Sequence, residues 1–129
     1  MSLIHTCYRI LDIDRSVAFY EALGFQEMSR FPIGDEAINV YMGQPGDGEE
    51  PRLELTYNIG RDEAYEIGTG YGHIAVSVTD LDAVLSSLAE HGIQPERPPY
   101  SVGEDSSRLC FVRDPDGYRV ELIERRGEG

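Results

Sequence analysis

Two stretches of this chain follow one plan, 68 positions apart. Moving the first half along by that distance lays His5 on His73, Asp12 on Asp80, Asp14 on Asp82 and Gly24 on Gly92. Such a repeat constrains the fold strongly, because each copy must itself be a supersecondary unit. In each copy a histidine opens an apolar strand and a glutamate stands on a later one. His5 precedes Glu54 by 49 positions and His73 precedes Glu121 by 48, the difference a single deletion in a loop produces.

The first copy reads as βαβββ. A strand over 4–11 leads to a helix that Asp12 or Asp14 can cap, with Val17, Phe19, Tyr20 and Leu23 as its apolar stripe. Gly24 stops it. Strands follow over 25–32 and 37–42, joined at Gly34-Asp35, then a loop over 44–51 and a strand over 52–58. Residues 59–70 lack periodicity and read as a connection. The second copy begins with a strand over 71–78, an Asp80 cap and a helix carrying Leu81, Val84, Leu85 and Leu88 as far as Gly92. Strands over 94–98, 108–112 and 118–124 complete it, the last two joined by an Asp114-Pro115-Asp116-Gly117 turn. The expectation is one α+β domain over 1–129, with module one at about 3–58, the connection at 59–70 and module two at about 71–125.

Composition excludes several partners. The formal charge is −13, and the basic residues are all arginine, with no lysine. Such a surface repels nucleic acid and anionic membranes. No stretch reaches the roughly 20 apolar residues of a membrane span, and no leader pattern is visible. Cys7 and Cys110 are too few for a disulfide framework, so a reducing cytoplasm is expected.

Period-2 geometry selects who can meet. Cys7 and Arg9 share the face of His5, Thr56 and Asn58 that of Glu54, and Ala75 and Ser77 that of His73. Taken singly, a histidine at a strand start or a glutamate on a strand is usually a solvated group. Their pairing across a duplication makes His5, Glu54, His73 and Glu121 a candidate metal set. Two imidazoles and two carboxylates neutralise a divalent ion and leave two octahedral positions open. The donors suit nickel, cobalt, zinc or manganese. His91, before Gly92, has no counterpart and reads as a helix-end residue. Cys7 is expected to be a small buried hydrophobe. Glu21, Glu63, Glu66 and Glu104 read as solvated charges.

Ile4-His5-Thr6, Glu54-Leu55-Thr56-Tyr57-Asn58, Tyr71-Gly72-His73-Ile74-Ala75 and Asp114-Pro115-Asp116-Gly117-Tyr118, followed by Val120-Glu121-Leu122, resemble the glyoxalase I (lactoylglutathione lyase) family. This is a vicinal oxygen chelate family, here of the short bacterial type, and the likeness runs over about 3–125. It implies two βαβββ modules in a cupped eight-stranded sheet. It also implies a homodimer whose metal sites take His5 and Glu54 from one subunit and His73 and Glu121 from the other. Nickel or cobalt is the expected ion, with zinc or manganese as alternatives, and Arg9 and Asn58 match positions that hold the thiol moiety.

The implied reaction isomerises the hemithioacetal of methylglyoxal and a small thiol to an S-lactoyl thioester, by proton transfer through an enediolate held at the metal. Glu121 would be the base and Glu54 the second base, for the opposite stereoisomer. The family often supplies a lysine from the loop before the Asp-Pro-Asp-Gly turn. Here that loop, 101–106, is acidic, so glutathione, mycothiol and bacillithiol all stay open as the thiol. The same loop is expected to act as a cover on the cleft. The alternatives are an acyl-CoA epimerase and a metal-free drug-binding module. Superfamily members with only three protein ligands are disfavoured by a glutamate at position 54.

Overall fold

The protein is described here by a computed structural model covering residues 1–104 and 107–125. The chain divides into two units, Met1–Glu66 and Ile67–Gly129, and the break falls inside the expected connection. Unit one contains β1 (Thr6–Ile10), α1 (Ile13–Ala22), β2 (Gln26–Ile33), β3 (Ala37–Gly43), a 3-10 turn at Pro45–Asp47 and β4 (Leu53–Asn58). Unit two contains β5 (Ile74–Val78), α2 (Leu81–Glu90), β6 (Leu109–Arg113) and β7 (Arg119–Glu124). Shifting β1 and α1 by 68 positions reproduces the bounds of β5 and α2.

The helices start and stop for the same reasons in both units. Asp12 accepts a hydrogen bond from the Arg15 amide at 3.0 Å, and Asp80 one from the Ala83 amide at 3.1 Å, satisfying donors that have no partner within the helix. Each helix is followed by a glycine with positive φ, +95° at Gly24 and +77° at Gly92, which an L side chain would resist. Asp80→Ala is expected to destabilise the fold by about 1 kcal/mol, read as a lowered denaturant midpoint at unchanged slope.

In unit one the sheet order is β1-β4-β3-β2, with β1 parallel to β4 and the other pairs antiparallel. In unit two it is β5-β7-β6, with β5 parallel to β7. The first strand of each module therefore runs beside its last, a parallel pairing that needs a long crossover and gets one containing the helix. That pairing carries a histidine from one end of the module to a glutamate near the other.

Alternation sorts the faces. On β4, Leu53 and Leu55 are buried, as are Ile10, Tyr20, Val40 and Met42 of the same unit, while Glu54 and Thr56 look the other way. On β7, Val120, Leu122 and Glu124 are buried, and Arg119, Glu121 and Ile123 share the opposite face. The buried carboxylate of Glu124 accepts from the Leu81 amide at 2.8 Å and from Arg108 at 3.2 Å, tying the start of α2 to β7. Asp114 likewise accepts from the amides of Asp116 and Tyr118, both at 2.9 Å, which closes the expected turn between β6 and β7.

One expected strand does not form. Residues 94–98 make no ladder; the Glu96 amide donates to the Phe111 carbonyl at 2.8 Å, and Tyr100 makes an isolated antiparallel bridge to Leu109. Pro95, Pro98 and Pro99 remove three of the amide donors that an extended pairing would use. Among the described residues the two sheets therefore hold four and three strands, with this segment lying along β6 in place of an eighth. Of the loop expected to cover the cleft, Asp105 and Ser106 lie outside the described residues. No helix among the described residues is long and apolar enough to cross a membrane.

Candidate active site

His5 is the residue immediately before β1, and its Nε2 lies 3.1 Å from Glu54 Oε1. His73 is the residue immediately before β5, and its Nε2 lies 3.2 Å from Glu121 Oε1. Each pair is built by the parallel strand pairing of its own unit. The packing behind each histidine matches as well: an aromatic ring meets His5 edge-on from Tyr41 at 5.8 Å and meets His73 edge-on from Phe111 at 5.0 Å. The histidines are about one-third exposed, 33% and 36%, and the glutamates 13% and 17%, so both pairs are set into their faces yet open to a ligand.

The surroundings of Glu54 are polar. Its carboxylate accepts from Thr56 Oγ1 at 2.7 Å, from Tyr41 Oη at 3.0 Å and from Cys7 Sγ at 3.0 Å. Burial by itself raises this carboxyl, but the three hydrogen bonds and the nearby His5 outweigh it and hold the group below its ordinary value. Conversely, burial and then the bond to Glu54 push both the Cys7 thiol and the Tyr41 phenol up. Cys7 thus departs from the expectation of a buried hydrophobe: it is exposed, on the open face, with Tyr8 and Ile10 taking the buried one.

Tyr41 is a site residue that the strand patterns do not mark, while Thr56 lies on the Glu54 face that alternation does mark. The signal for Tyr41 lies in register rather than in any one strand, because Tyr41 and Cys7 sit directly across from Glu54 on the two neighbouring strands.

The surroundings of Glu121 differ. Phe111 and Ala75 flank it in register, and Arg119 stacks on Phe111 at 3.8 Å while donating to Glu96 at 2.8–3.0 Å. Asn58 stands on the Glu54 face and donates to Tyr65 Oη at 2.9 Å. Arg9 is exposed on the Cys7 face, opposite Thr56 in register. His91 closes the C-terminal end of α2 and is exposed, as are Glu21, Glu63, Glu66 and Glu104.

Among the described residues no group of three or more histidine, cysteine, aspartate or glutamate side chains forms a metal cage. Each unit instead holds two donors. Their spacing fits a shared ion: neighbouring ligands on an octahedral ion with bonds of about 2.1 Å are about 3.0 Å apart, close to both observed histidine–glutamate distances. The donor types, neutral imidazole and carboxylate, suit a borderline divalent ion.

Paired modules with a parallel first-and-last strand and a histidine–glutamate pair on each define a class of α+β proteins. The chain belongs to the Glyoxalase/Bleomycin resistance protein/Dioxygenase superfamily, whose family model matches residues 2–122. Lactoylglutathione lyase of Escherichia coli O157:H7 is 37% identical over 131 residues, covering 100% of this chain and 96% of that protein. A probable lactoylglutathione lyase of Synechocystis is 35% identical, covering 96% of this chain and 95% of that protein. A crystal structure of glyoxalase I from Zea mays superposes with a TM-score of 0.84 at 35% identity, covering 96% of this chain and 44% of that one. The chain spans less than half the length of such plant relatives, 44% for the Brassica oleracea protein.

Proposed function

We propose that this chain isomerises the hemithioacetal of methylglyoxal and a low-molecular-weight thiol to the S-lactoyl thioester, as a metal-dependent lyase. The observation that carries the reading is the repetition of one histidine–glutamate pair, at 3.1 and 3.2 Å, at equivalent points of two modules. It is supported by the names of two bacterial relatives matched over nearly their full length, a lactoylglutathione lyase and a probable lactoylglutathione lyase. The two modules act together as one domain over 1–129. His5, Glu54, His73 and Glu121 are the metal ligands, and the active form is a homodimer in which one subunit supplies the first pair and the other subunit the second. The free thiols of Cys7 and Cys110 suit a reducing cytoplasm as its place.

A bound divalent ion, nickel or cobalt before zinc or manganese, supplies positive charge that draws the substrate oxygens and stabilises negative charge developing on them. The rest is done by side chains. A carboxylate, Glu121 with Glu54 as the second candidate, takes the proton from the carbon bearing sulfur and returns it to the neighbouring carbon. The hydroxyl proton leaves the first oxygen as that carbon becomes the thioester carbonyl, and a proton is taken up on the second oxygen. A carboxylate partly removed from water has its basicity adjusted for such a shuttle. Arg9 and Asn58, on the faces beside the donors, hold the thiol moiety.

The thiol is the open variable, since the chain has no lysine to meet a carboxylate-rich partner and a glyoxalase I from Leishmania major that is 33% identical is described as trypanothione-dependent. The test is thioester formation from methylglyoxal with glutathione, mycothiol, bacillithiol and trypanothione, each under nickel, cobalt and zinc. Product with at least one pair, lost on chelation, is expected. No product with any thiol would overturn the reading.

A further inference from the structure

The two glutamates stand at equivalent points of the repeat but are not held alike. Glu54 receives Thr56, Tyr41 and Cys7 at 2.7–3.0 Å, so both of its oxygens are engaged. In the second unit the corresponding neighbours are Ile123, Phe111 and Ala75, none of which carries a side-chain donor. Among the described residues the polar side chain within hydrogen-bonding reach of Glu121 is His73, at 3.2 Å, and Arg119 on the same face acts on it through charge alone. To swing away, Glu54 must break three hydrogen bonds to a charged acceptor, the stronger kind, as well as its contact with His5. Glu121 gives up one contact.

We propose that Tyr41, Thr56 and Cys7 are positioning residues that pin Glu54 as a fixed ligand, so that the proton transfer assigned above to Glu121 has no second base in this chain. This rests on the functional reading above and narrows it, because it removes Glu54 from the role of second base. The asymmetry is local to this chain's side chains, since the backbone scaffolds of the two pairs follow the same pairing. It has a clear reason in register: the residue across from the glutamate on each neighbouring strand is polar in one unit and apolar in the other.

Cys7→Ala, Tyr41→Phe and Thr56→Val together give Glu54 surroundings like those of Glu121. Nickel affinity is measured by competition with a chelator, without substrate, in the full-length protein. The triple variant is expected to bind nickel about 10–100-fold more weakly, the usual cost of losing outer hydrogen bonds to a ligand. Thr56→Val alone should weaken it and Thr56→Ser should not, which separates the hydroxyl from simple packing.

In a Glu121→Gln background, the triple variant is expected to raise the residual thioester rate about tenfold as Glu54 is released to act as a base. Unchanged nickel affinity, or no rise in that rate, overturns the proposal. Should the triple variant fail to fold, Tyr41→Phe removes a single oxygen and is judged by the same two readouts. A parent protein that binds nickel yet makes no thioester defeats the functional reading, and the proton-carrier half of this proposal with it. A parent that does both while the substitutions change nothing defeats the proposal alone.

Discussion

Glu121→Gln is expected to lower kcat by about 10²- to 10⁴-fold, the range general-base catalysis supplies, while the protein keeps its fold and its metal. The amide preserves the shape and one oxygen ligand but cannot take a proton. Its site favours such a clean result, because the register neighbours Phe111 and Ala75 do not depend on a charged partner there. Glu54→Gln should behave otherwise. The donors Tyr41, Thr56 and Cys7 are arranged for a carboxylate, and an amide NH₂ facing them disrupts the cluster. Its first effect is then on metal affinity, with turnover following occupancy. Rates measured at saturating metal separate the two variants, and a Glu121→Gln protein within tenfold of the parent would remove Glu121 from the proton transfer.

Tyr20→Ala is expected to destabilise unit one by about 3–5 kcal/mol, enough to unfold a marginal domain at ordinary temperature. Tyr20 is fully buried and meets Phe19 and Phe25 edge-on at 4.8 and 5.6 Å, filling the space between α1 and the sheet. The equivalent point of α2 is Leu88, also fully buried, so the repeat preserves the packing slot while changing what fills it. Urea unfolding followed by circular dichroism reads the effect; a shift below about 1 kcal/mol would mean that the slot collapses around the loss. The site would be lost with the fold, since the β1–β4 pairing that brings His5 to Glu54 rests on this core.

Much of this is legible from residue order. The helix caps, the glycine stops and the Asp114 turn depend on local chemistry, and each lies where its residue type places it. The histidine–glutamate pairs are legible through the repeat, because spacings of 49 and 48 in the two halves call for the same pairing. At 94–98 the repeat misleads: a strand follows the helix in the first module, while in the second the cost of Pro95, Pro98 and Pro99 falls on the hydrogen bonds a ladder needs. Residue type misleads at Cys7, although the alternation with Tyr8 and Ile10 points it outward. Tyr41 depends on which residues lie opposite one another across strands, and no single strand's pattern contains that, whereas Thr56 lies on the Glu54 face that alternation gives.

Metal content per chain after reconstitution with nickel tests the account at its centre. One ion per chain is expected in the parent, and none in either His5→Ala/Glu54→Ala or His73→Ala/Glu121→Ala, because in the proposed site each unit supplies half of the ligands. A full ion retained by either double variant would contradict the shared site.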